Sequence, residues 1–210
     1  MKTLVVAATF PEVAGLCEHF RLTEDKLMHA ENFDVIITGV GMTATAFALG
    51  STLNPSYSLV LNLGIAGTYQ REIALGTLVQ VSQDIFSELG AESPSGFLTI
   101  ETLGFGKSRF QEINNSEKPF QTNLQQVSGI TVNRVHGTKE SIKATRDRLN
   151  PDTESMEGAA VFYACEQMGI PCLQIRSISN YVEERNTASW EIGKSIRNLN
   201  AWAIRFLTIT

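Results

Sequence analysis

Four stretches of this chain are apolar almost throughout and too short to be ordinary helices. They are TLVVAA (3–8), FDVIITGVG (33–41), SLVLNLG (58–64) and IPCLQIRSIS (170–179). A strand with one wet face alternates apolar and polar residues; a strand buried on both faces does not. These runs therefore predict strands inside a sheet that is covered on both sides. Helical patterns lie between them. PEVAGLCEHF (11–20) carries Pro11 in its first turn, MTATAFALGSTL (42–53) is built of small residues, and MEGAAVFYACEQMG (156–169) stops at Gly169. Buried strands alternating with helices imply an α/β fold.

The remaining segments fit that frame. GTLVQVSQDIF (76–86) reads as a strand with one wetter face and GITVNRV (129–135) as another. TKESIKATRDRL (138–149) is a polar surface helix, and TASWEIGKSIRNLNAWAIRFL (187–207) a long amphipathic closing helix. Residues 87–126 are rich in Gly, Ser, Asn and Pro and read as loops and short pieces, including a mobile flap. The 210 residues favour one domain, 1–210, large enough to bury a sizeable core.

Charge and composition remove several function classes. With 22 acidic and 17 basic residues, the net charge of −5 offers no footprint for nucleic acid or an anionic membrane. No apolar run reaches the ~20 residues of a membrane helix. The three cysteines, Cys17, Cys165 and Cys172, are scattered, as are the three histidines, so neither a disulfide framework nor a metal cluster is read from them. The chain reads as soluble and cytoplasmic.

Candidate chemistry sits where strands end, because open α/β sheets bind ligands there. GVGMTA (39–44) matches a dinucleotide fingerprint, but the following strand ends in Asn62 and Gly64 rather than an acid. Its glycines read equally as tight strand-to-helix packing. LNLGIAGT (61–68) reads as a strand and a glycine turn whose N–H groups could cradle an anion or a ribose. Glu12 follows the first strand, either projecting into a site or resting at a helix start. Glu157 stands among Met156, Gly158, Ala159 and Ala160, facing a ligand or a neighbour's N–H groups. One carboxylate can accept both vicinal hydroxyls of a ribose. Asn180 closes a buried strand with one acceptor and two donors.

MKTLVVAATFPEV, LNLGIAGT and SMEGAAV…RSISN, taken together, resemble the nucleoside phosphorylase/nucleosidase superfamily over nearly the whole chain. The resemblance is greatest to the single-domain nucleosidases, which include the methylthioadenosine/adenosylhomocysteine enzymes. Within these it is greatest to the futalosine hydrolases, through SMEGAA, RSISNYV and the W-x-I-x-x-x-I-x-N-L-N run from Trp190 to Asn200. It implies a central mixed twisted sheet flanked by helices, hydrolysis of an N-glycosidic bond, no metal or organic cofactor, and a homo-oligomer, dimer first. It implies Glu12 as the water-activating base, Met156 and Glu157 at the ribose, and Ile65, Ala66 and Gly67 at the substrate. Asn180 stands where adenine-specific members carry a base-protonating aspartate. An amide can donate to O6 of hypoxanthine and accept from N7–H, so Asn180 favours a 6-oxopurine. For the carboxylate at the far end of futalosine, Lys107, Arg109 and Arg185 are candidate donors, with Phe105 as a wall.

Overall fold

The computed structural model describes residues 2–113 and 122–209. The chain opens with β1 (Lys2–Ala7), α1 (Phe10–His19), β2 (Leu27–His29), β3 (Phe33–Ile37), α2 (Met42–Thr52) and β4 (Tyr57–Thr68). It continues through β5 (Leu78–Phe86), the small hairpin β6 (Gly90–Ser93) and β7 (Gly96–Thr99), β8 (Arg109–Gln111) and β9 (Gln125–Thr131). The last part holds α3 (Lys139–Leu149), β10 (Thr153–Ser155), α4 (Gly158–Met168), β11 (Cys172–Tyr181), a 3₁₀ turn at Thr187–Ser189, and α5 (Ile192–Ile209).

Nine strands of the described residues form one mixed sheet in the order β10-β9-β5-β11-β4-β1-β3-β2, with β8 paired to β5. Strands β11, β4, β1 and β3 run parallel at its centre, while β5 is antiparallel to β11. The central strands are the apolar runs of the sequence, as burial on both faces requires. One face packs Leu16, Val13 and Cys17 of α1 with Leu199, Trp202, Ala203 and Phe206 of α5. The other packs Ala48 and Leu49 of α2 with Val161, Phe162 and Cys165 of α4.

The structure corrects the sequence reading at several places. The IAGT segment is not a turn: β4 runs unbroken to Thr68, because its end pairs with β11 on one side and β10 on the other. Strand β9 starts at Gln125, earlier than its sequence pattern suggests, and β2 and β10 are short strands that pattern alone misses. The irregular stretch contains β6, β7 and β8, and its part at 114–121 lies outside the described residues.

Candidate active site

The C-terminal ends of β1, β4 and β11 open into a cleft of about 330 Å³. Glu12, Ile65, Ala66, Gly67, Met156, Glu157 and Asn180 all line it. The same cleft is walled by His136, Glu154, Ser179 and Trp190, which sequence reasoning did not single out.

Glu12 is held from three sides. Its Oε2 accepts the Thr9 backbone N–H and hydroxyl, each at 3.0 Å, and its Oε1 accepts the Ile65 N–H at 3.2 Å. The Thr9 contacts are a capping box, the local reason that a carboxylate sits in the first turn of α1. Asn200 of α5 fixes the same helix: its Nδ2 donates to the Glu12 carbonyl at 2.9 Å and its Oδ1 accepts the Leu16 N–H at 2.7 Å. Burial pushes the Glu12 carboxyl above its ordinary range; the Arg176 guanidinium and the Ile65 N–H pull it back, while Glu157 adds to the rise.

Arg176 is the cation that acts on Glu12 from beneath the cleft. It lies in the middle of β11 and is only 2% exposed. Its Nε and Nη2 donate to Gln174 Oε1 at 3.2 and 2.8 Å. Gln174 Oε1 also accepts from Asn62 at 3.1 Å, and Gln174 Nε2 donates to Asp84 at 3.0 Å. Thr131 donates to the other Asp84 oxygen at 2.9 Å and accepts the Ala159 N–H at 2.7 Å. Asp84 is raised to about 6 by burial, despite the opposing pull of Gln174, Thr131 and Arg176. Gly64 is obligatory in this arrangement, because a side chain there would collide with the Arg176 guanidinium and crowd Glu12. Gly158 is equally constrained by Gln174 and Asp84. The SMEGAA glycine therefore gives the polar layer room beneath the cleft. The sequence signal for Arg176 was a charge inside an otherwise buried strand.

Glu157 occupies the N-cap position of α4, and its side chain accepts the Gly41 N–H at 2.9 Å. That contact takes the Gly41 N–H, so this part of the GVGMTA turn supports carboxylate placement. One Glu157 oxygen faces a neighbour's N–H, and the residue also lines the cleft.

Asn180 lies beside a bulge of β11, half-buried, directly opposite Gly67 of β4. Its Oδ1 accepts from the Ser179 hydroxyl at 2.8 Å and its Nδ2 donates to the Tyr181 carbonyl at 3.1 Å. The amide orientation is thus set, with one N–H and one lone pair unused. Of the cations considered for a carboxylate, Lys107 is paired with Glu166 at 2.6 Å and Arg109 lies on β8. Neither they nor the exposed Phe105 lines this cleft. Arg185 does stand near it, its guanidinium 5.1 Å from the ring of Trp190. Among the described residues, no group of three or more His, Cys, Asp or Glu side chains could hold a metal ion, and no helix is long and apolar enough to cross a membrane.

Comparison with known proteins adds the following. The model of the phosphorylase superfamily matches residues 18–210. The futalosine hydrolase of Streptomyces coelicolor is 30% identical over 208 residues, covering 92% of this chain and 86% of that protein. The 5′-methylthioadenosine/S-adenosylhomocysteine nucleosidase of Colwellia psychrerythraea is 28% identical, covering 91% of this chain and 88% of that one. The crystal structure of the corresponding Helicobacter pylori nucleosidase, bound to butyl-thio-DADMe-Immucillin-A, superposes with a TM-score of 0.81 at 18% identity, covering 100% of this chain and 99% of the other.

Proposed function

The chain belongs to the phosphorylase superfamily, and on that premise we propose that it hydrolyses the N-glycosidic bond of futalosine. The products are hypoxanthine and dehypoxanthinyl futalosine, within the alternative menaquinone pathway in the cytoplasm. The identity to a futalosine hydrolase supports the substrate. The observation that carries the reading is Asn180, an amide oriented by Ser179 in the cleft that Glu12 and Glu157 share.

The chemistry follows from the unused valences. A carboxylate has about four lone-pair positions. Three on Glu12 are taken by Thr9 and Ile65, which leaves one for a water. As general base, Glu12 takes that water's proton as oxygen attacks C1′ of an oxocarbenium-like sugar. Arg176 offsets part of the burial that raises the Glu12 carboxyl. Glu157 has a second oxygen for the ribose hydroxyls, and Met156 packs beside it. Ile65, Ala66 and Gly67 form the floor under the nucleoside. Asn180 donates to O6 and accepts from N7–H of the departing base.

Water rather than phosphate fits the donor inventory. Arg176 commits Nε and one Nη2 N–H to Gln174 and does not line the cleft, and Ile65 spends its N–H on Glu12. Phosphate would need such donors free. A homodimer would cover the apolar groove between α2 and α4, around the exposed Phe47 and Tyr163.

The test is base release from futalosine, inosine and methylthioadenosine, with and without phosphate. The proposal expects hypoxanthine from futalosine at a rate indifferent to phosphate. Faster adenine release from methylthioadenosine would favour the second reading, which the Colwellia relative supports. Dependence on phosphate would make the protein a phosphorylase.

A further inference from the structure

The polar layer beneath the cleft fixes which atom of each group faces which neighbour. Arg176 has donors only, so the Gln174 atom that takes its Nε and Nη2 at 3.2 and 2.8 Å is the carbonyl oxygen. The other end of that amide is then an NH2, and it donates to Asp84 Oδ2 at 3.0 Å. Thr131 is constrained in the same way. Its hydroxyl oxygen accepts the Ala159 N–H at 2.7 Å, so its proton goes to Asp84 Oδ1 at 2.9 Å. Both Asp84 oxygens must therefore accept, and only an ionised carboxylate offers two acceptors and no donor. Asp84, Gln174 and Thr131 are all buried, so solvent offers no replacement for a lost partner.

The far side of Arg176 reaches Glu12. A Cβ placed on Gly64 would lie 2.0 Å from Arg176 Nη1 and 3.1 Å from Glu12 Oε1. The guanidinium and the carboxylate thus lie inside the ~4–6 Å over which an opposite charge favours the ionised form. Glu12 also faces Glu157, Thr9 and the Ile65 N–H. Arg176 acts on Asp84 as well, whose pKa of about 6 leaves it ionised at neutral pH.

We propose that Asp84 is a positioning residue for the reaction: by accepting from Gln174 Nε2 it turns the amide oxygen toward Arg176, and so holds the guanidinium beside Glu12. This rests on the nucleosidase reading above. Asp84 touches no substrate; it acts through two other side chains, along β5 and β11.

The experiment reverses donor and acceptor. Asp84→Asn alone turns an N–H toward Gln174 or Thr131 and frees the Gln174 amide to flip, with its NH2 toward Arg176. Turnover of futalosine should fall by about 10- to 100-fold with KM little changed, since a displacement of ~1 Å can cost that much. The acid limb of kcat/KM, set by the free enzyme's Glu12, should move up by about one pH unit. In Asp84→Asn/Gln174→Glu every bond can re-form. The new carboxylate at position 174 accepts from Arg176 and Asn62 with one oxygen and from the new amide at position 84 with the other. That amide's oxygen accepts from Thr131. The paired change keeps the buried charge, and it should restore most of the turnover and return the acid limb to the parent's position.

Parental turnover and acid limb in Asp84→Asn overturn the proposal, as does a paired variant that is no better than the single one or does not fold. A lowered thermal midpoint in Asp84→Asn with an unmoved acid limb overturns it too, leaving Asp84 a purely structural role. If Asp84→Asn alone does not fold, the paired variant decides. Glu12 is also titrated directly by carbon-13 NMR, without substrate. If the parent does not cleave futalosine but this titration moves up in Asp84→Asn and back in the paired variant, the substrate reading fails and Asp84 keeps its hold on Glu12. Cleavage with an unmoved titration does the reverse.

Discussion

The two ends of the cleft handle charge in opposite ways. Beneath the Glu12 end, one buried guanidinium, Arg176, acts on both Glu12 and Asp84, and Glu157 acts on Glu12. At the Asn180 end, a neutral amide and one carboxylate, Glu154, are held by hydroxyl, imidazole and backbone donors. The first arrangement is suited to a reaction that develops positive charge on a sugar, because an acidic surplus in a dry site stabilises a cation. The second is suited to telling one base edge from another, because each group has an assigned donor or acceptor. Rate and selectivity should therefore respond to different residues.

The largest expected effect is at the first end. Glu12→Gln keeps the shape of the side chain and removes the base, so turnover should fall by about 10²–10⁴-fold or more. Substrate binding should be little changed. Near-normal turnover would return Glu12 to a capping residue of α1 and dissolve the distinction between the two ends.

Arg176→Met comes next. It fills the volume but leaves Gln174, Asp84 and Glu12 without their cation. Breaking one partner of a buried ionic group costs about 3–5 kcal/mol, readable as a lowered midpoint in urea. A midpoint within error of the parent would mean that the carboxylates protonate at little cost and that the first end is not organised by charge.

Asp84 sharpens the same point through pH. Its folded pKa, about 6, lies above its ordinary 3.8. Below about 3.8 both folded and unfolded forms are protonated, and the residue contributes no pH dependence. Between these values the unfolded chain binds fewer protons, so this contribution to stability falls as pH rises, and the loss is complete above about 6. The full span is roughly 3 kcal/mol. Comparing denaturant midpoints of parent and Asp84→Asn between pH 4 and 7 isolates it, since the variant should lack this decline.

The smallest effect belongs to the second end. Asn180→Asp should lower activity on a 6-oxo nucleoside and raise the relative activity on its 6-amino counterpart, a swing of about 10- to 100-fold. Stability should stay near the parent's by thermal melt. Equal loss on both substrates would show Asn180 holding the end of β11 rather than a base.

The sequence exposed these ends unequally. Glu12 and Glu157 stood out because each is a charge beside small or apolar residues near a strand end. The central strands were legible because burial on both faces removes polar alternation. Glu154 was not, since β10 has three residues and no pattern of its own. Its place in the cleft comes from lying opposite Gly67, a pairing across 87 positions of chain that spacing cannot display. The continuation of β4 through Ile65, Ala66 and Gly67 was hidden for the same reason: glycines that read as a turn are held extended by partners on both sides. Arg176 interrupts an apolar run but was not singled out, and its purpose required Gln174 and Asp84 to be seen beside it.

Asn200 carries a consequence for how the protein comes to be active. Its bond to the Glu12 carbonyl joins positions 188 residues apart. Closing so long a loop costs entropy that is returned only when α1 and α5 are already packed together. A refolding chain can therefore regain much of its helix and sheet before its first-turn glutamate is in place. In a stopped-flow refolding experiment, the far-ultraviolet signal should recover ahead of catalytic competence, and Asn200→Ala should widen that interval.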